Sequence, residues 1–146
     1  RVVDGPRAWR DGEDVSGTAS HAAMALQAAR LDLPLVLLLG KDRLVDGGTV
    51  ERGGRKLRAL TLPRGDGLAL TAEIDPASGR VLRSATRMPG PAGPGEFVTE
   101  FDDFRRVGGR LVAFREVSFA QGQRTGETSL EAVEFLREAP TGAFQP

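Results

Sequence analysis

The sequence predicts an α+β fold: a curved antiparallel meander of about six or seven strands with a helical hairpin on its concave face. Three observations lead there. From Arg43 onward, strand-sized runs alternate with glycine turns at short spacing. Before them, residues 18–33 contain neither proline nor glycine and are dense in alanine. Between the two regions lies the run "LDLPLVLLLGK", in which Leu33 to Leu39 are all apolar.

The first elements are short. Val2-Val3 and Ala8-Trp9-Arg10 flank the turn Asp4-Gly5-Pro6, and Asp11-Gly12 is a second turn signal, so a hairpin is expected. Next, Thr18 or Ser20 offers a hydroxyl to the free amides of a helix start, and a helix follows over about 19–31. Met24, Ala28, Leu31 and Leu35 fall on one helical stripe, widened by Leu26, Ala29 and Leu33. In the apolar run, Pro34 suits a first helical turn, Gly40 suits a helix end, and leucine prefers helix to strand. A second helix over about 34–39, packed on nearly all sides, is the expectation; a buried strand is the alternative, because periodicity cannot separate the two over so few residues.

The strands come next. "DGG" at 46–48 and "RGGR" at 52–55 read as turns. "RKLRALTLP" is followed by the turn "RGDG" at 64–67 and then by "LALTAEID", with Leu68, Leu70, Ala72 and Ile74 on one face. "DPASG" at 75–79 is a proline turn, and "PGPAGPG" at 89–95 is a longer connection. Gly108-Gly109 forms a two-residue hairpin loop between "EFVTEFDDFRRV" and "RLVAFREVSFA". A twisted sheet of this kind curls, leaving a hollow that the leucine run fills.

Composition narrows the function. The 146 residues are 40% apolar and 27% charged, the size and balance of one ordinary domain. Twenty basic side chains offset twenty acidic ones, so no long-range field draws nucleic acid. The mixed charges of Arg105, Arg106, Arg110, Arg115 and Glu116 read as a solvated sheet face. No cysteine is present, which removes disulfides, thiol chemistry and Cys-ligated zinc. Seven apolar residues are far short of the roughly 20 that span a bilayer.

No catalytic constellation emerges, and no cofactor is expected. His21 is the single histidine and reads as a first-turn helix residue. Asp102 and Asp103, adjacent on a strand, should point to opposite faces. Asp11, Glu13 and Asp14 lack the spacing of a calcium loop. "GPAGPG" has neither the Lys-Ser/Thr nor the following helix of a phosphate loop. The apolar set remains: Trp9, Met24, Leu31, Leu35, Leu38, Leu39, Leu68, Leu70, Ile74, Phe97, Phe101 and Phe114, read either as packed core or as the lining of a lipid-sized cavity.

Several stretches carry a family resemblance. "IDPASGRVLR", "FDDFRRVGGRLVAF", the ending "VEFLREAPTGAFQP" and "GPRAWRDGEDV" resemble turn and strand patterns of LolA-like domains, the outer-membrane lipoprotein carrier superfamily. The closest likeness is to the form found with insulinase-type zinc-protease-like bacterial envelope proteins. The chain departs from that pattern at Ala113, where the family usually has Pro, and at Phe104, where it has Tyr. The resemblance covers most of the chain and implies a single domain over 1–146, short of the family's first strands. It further implies an open half-barrel whose cavity binds a lipid, an acyl chain or a lipoprotein without catalysis, in the periplasm or cell envelope. The other expectation is an accessory domain that packs on a protease-like partner and takes no ligand.

Overall fold

The computed structural model describes residues 1–65, 68–88, 95–138 and 140–142. The chain divides into two compact units, one of Arg1–Asp32 with the stretch from Phe135 onward, the other Leu33–Glu134.

In the first unit, β1 (Val2–Asp4), β2 (Arg7–Arg10) and β3 (Glu13–Asp14) form a small antiparallel sheet in that order, one strand more than the expected hairpin. Helix α1 (Ala19–Leu31) packs on β1 and β2. Thr18 caps it, accepting the His21 amide at 3.3 Å. Met24, Leu26 and Ala29 are its buried residues. The expected stripe through Ala28 and Leu31 is therefore corrected: both are exposed, and the buried line runs through the neighbouring apolar positions. With alanine at so many positions, more than one stripe of the same period was available.

The second unit opens with α2 (Leu33–Leu39) and a 3-10 turn at Lys41–Arg43. Seven strands follow: β4 (Val45–Arg52), β5 (Arg55–Gly65), β6 (Leu68–Ile74), β7 (Val81–Met88), β8 (Gly95–Val107), β9 (Arg110–Ala120) and β10 (Gln123–Ser129). They form one antiparallel sheet in sequence order, open between edges β4 and β10. The hairpins are tight for a local reason. Gly53-Gly54 (φ 54° and 76°) and Gly108-Gly109 (φ 53° and 81°) place both loop residues in the left-handed region, the geometry whose twist matches the flanking strands. At 75–79 the Asp75 carboxylate accepts the Ala77 amide at 3.1 Å, and Gly79 N–H closes on the Asp75 carbonyl at 2.8 Å. The "DGG" stretch is not the expected turn. It lies within β4 as a bulge, with Gly48 N–H held by the Asp46 side chain at 2.8 Å. The predicted turn at 64–67 and connection at 89–95 fall largely outside the described residues.

Registers assign the two faces of the sheet, because directly opposed residues project to one side. One face carries Leu62, Leu70, Thr86, Phe97 and Ala120 in one row and Leu60, Ala72, Ser84, Thr99 and Ser118 in the next. Leu62, Leu70 and Ala72 are fully buried there. The opposite face carries the row Ala59, Glu73, Arg83, Glu100 and Val117.

Helix α2 meets the first of these faces at its C-terminal end. A Cβ on Gly40 would lie 2.7 Å from Leu62 Cδ1, so glycine is required there by close approach. Its φ of −95° shows that the left-handed stop expected of Gly40 is not used.

Candidate functional site

The leucine run is a helix, but it is not packed on nearly all sides. Leu33 and Leu37 are buried at 3% and 7% exposure, one turn apart, and Gly40 continues that line. Leu35, Leu38 and Leu39 lie on the other side, at 46%, 64% and 77% exposure. The physical reason is geometric: a seven-residue helix buries one stripe against its surroundings, and the remaining leucines have nowhere inward to go. This corrects the expectation that the run fills a hollow.

The other predicted cavity residues do not converge either. Trp9 is half-buried in the small sheet with Arg7 over its ring at 4.8 Å, Met24 is buried in α1, and Leu31 is 77% exposed. Leu70 is core, Leu68 and Ile74 are half-buried, and Phe97 is 44% exposed. Phe114 is buried, with Arg105 over its ring at 4.4 Å. Phe101 alone of the set lines the groove described next.

That groove, about 610 Å³ and open to solvent, lies in the sheet unit and was not anticipated from the sequence. Its charged lining comes from Arg52, Arg55, Arg80, Arg83, Arg115, Glu100 and Asp102, with Leu57, Leu82, Phe101, Phe104 and Val117 between them. Arg83, Glu100 and Val117 belong to the row on the sheet face opposite Leu62, so groove and α2 contact lie on different faces. Two of these arginines converge on Glu73, which is 3% exposed. Arg52 grips it with two hydrogen bonds, Nε to Oε2 and Nη2 to Oε1, both 3.0 Å, and Arg83 Nη1 donates to Oε1 at 2.6 Å. Burial pushes the Glu73 carboxyl upward, but the Arg52 hydrogen bonds and the Arg83 and Arg52 charges outweigh it and hold the group below its ordinary value. Arg115 is held by Glu127 at 2.8 Å and Asp102 at 3.5 Å. The signal for this cluster was present in the sequence as Glu73 on an alternating strand. Its burial depended on two arginines from β4 and β7, which no local pattern pairs.

Asp102 and Asp103 do part company. Asp102 faces Arg115, while Asp103, with a φ of 49°, pairs with Arg105 at 2.5 Å. His21 is tied into the turn that precedes its helix: Nδ1 accepts the Gly17 amide at 3.1 Å, so Nε2 carries the proton and donates to the Gly5 carbonyl at 3.2 Å. Its two ring nitrogens thereby link the turn before the helix to the turn between β1 and β2. Among the described residues no single helix is long and apolar enough to cross a membrane.

No family model, no curated protein and no solved structure matches the chain.

Proposed function

We propose that this chain is a non-catalytic interaction module of the cell envelope, LolA-like in its curved half-barrel organisation, that packs on a partner protein or domain through the outward leucines of α2. The observation that carries this reading is the division of α2 itself. Leu33 and Leu37 are buried, whereas Leu35, Leu38 and Leu39 leave a contiguous apolar ridge at 46%, 64% and 77% exposure. A ridge of leucine side chains in water marks a contact surface. It is convex, and therefore suited to seat in a groove of another protein rather than to enclose a chain.

A second reading, an acyl or lipoprotein carrier, draws on the floor of the same unit. Leu62, Leu70 and Ala72, all fully buried, would offer an acyl chain an apolar bed once α2 swung aside. One experiment separates the two. Benzoylphenylalanine is placed at position 38, or at exposed position 106 as a control, and crosslinked in cells expressing the chain; the purified protein is titrated with a fluorescent fatty acid. Interaction through α2 predicts a discrete protein adduct from position 38 alone and no saturable fluorescence. Saturable one-to-one fluorescence without a position-38 adduct would replace this reading with the carrier.

A further inference from the structure

The arginine groove is not explained by a contact surface on α2, and two of its guanidiniums lie outside its ion pairs. Arg52 and Arg83 are committed to Glu73. Arg115 is committed to Glu127 and Asp102. Arg55 and Arg80 line the same groove; the Arg55 charge acts on nearby Asp75, but among the described residues neither guanidinium is within ion-pair distance of a carboxylate.

The groove is also amphiphilic. Arg80 lies over the Phe104 ring at 5.3 Å, a cation–π contact within the groove. Leu57, Phe104 and Val117 provide apolar wall between the charges. A volume of about 610 Å³ lies in the range of small-molecule sites. The floor is preorganised, because the three hydrogen bonds to Glu73 fix Arg52 and Arg83 before anything arrives.

We propose that the groove binds a small organic oxyanion: a carboxylate or phosphate monoester carried on a compact apolar body. The oxyanion is received by Arg55 and Arg80, whose planar forks match either head group, and the body rests against Phe104 and Val117. Both heads share the chemistry of paired oxygens bearing negative charge, and the test distinguishes them.

The ¹⁵N-labelled chain is titrated separately with phenyl phosphate, benzoate, inorganic phosphate and benzyl alcohol while amide shifts are followed. The proposal expects saturable shifts from phenyl phosphate or benzoate at residues 52–57, 80–83 and 100–104, and none from benzyl alcohol. The tighter of the two anions identifies the head. Losing two charge-assisted contacts in an Arg55→Gln, Arg80→Gln double variant should weaken binding about tenfold or more. The variant's melting temperature reports whether the sheet is intact, and an Arg55→Gln single variant, altered only in the exposed β5 end, should itself weaken binding. Leu38→Asp should leave the affinity unchanged, so this result is independent of the α2 reading. Absence of saturable shifts from both organic anions overturns the proposal. So does a double variant that stays folded and binds as before. Inorganic phosphate binding as tightly as phenyl phosphate would overturn the apolar half of it.

Discussion

Glu73 offers the sharpest stability experiment in this fold. Replacing it with Ala removes a carboxylate that is 3% exposed and accepts three hydrogen bonds from two guanidiniums. Breaking a buried ion pair costs about 3–5 kcal/mol, because the abandoned partner stays out of water. The two partners here differ in how far they are abandoned. The Arg52 side chain is 54% exposed and rehydrates, whereas Arg83 is 15% exposed and keeps, among the described residues, only Glu96 at 3.8 Å. The expected loss for Glu73→Ala is therefore about 2–3 kcal/mol, below the full figure. Glu73→Gln keeps one acceptor but turns an amide N–H₂ toward a guanidinium, for about 2 kcal/mol. Glu100→Gln, an exposed neighbour in the same cross-strand row, should stay within about 0.5 kcal/mol. Urea unfolding followed by far-ultraviolet circular dichroism measures all three. A Glu73→Ala protein as stable as the parent would refute the reasoning, since it would mean that Arg83 needs no counter-charge.

Further outcomes follow from the same geometry. The Glu73 carboxyl sits below its unfolded value, so its stabilisation is complete above the unfolded pKa and disappears as pH falls through the depressed folded one. The stability gap between parent and Glu73→Gln should accordingly shrink on acidification below about pH 4, which parallel urea titrations would record. Gly40→Ala should destabilise by about 1–3 kcal/mol by overpacking, since its Cβ would meet Leu62 Cδ1 at 2.7 Å and the Val36 carbonyl at 3.2 Å. Combining it with Leu62→Val should give less than the sum of the two losses, because the shorter side chain vacates the clash. Gly109→Val, which forces a β-branched residue to a φ of 81°, should cost at least about 1 kcal/mol in a thermal melt.

The legibility of this chain follows the range of its interactions. Where a feature is set by neighbours in sequence, the residues announce it. Thr18 and the uninterrupted alanines predict α1 to its boundaries, and the Gly53-Gly54 and Gly108-Gly109 pairs predict their hairpins. The antiparallel order follows from the tight turns. What depends on distant strands is mute. Nothing local says that Arg52 and Arg83 converge on Glu73, or that the glycines at 47 and 48 belong to a bulge rather than a turn. The leucine run shows the limit most clearly: its composition predicts a short helix, but an all-apolar helix carries no polar face to reveal which side is buried. Burial had to be read from the structure, and it selects Leu33 and Leu37.

The claim that matters most is that α2 is anchored by one stripe and presents the other. Its direct measurement is the unfolding free energy of Leu37→Asp beside that of Leu38→Asp. A charge placed at buried position 37 should cost more than about 3 kcal/mol or prevent folding, and the same charge at position 38 should cost less than about 0.5 kcal/mol. Equal and severe losses at both positions would contradict the account, for they would place the outward leucines inside the fold.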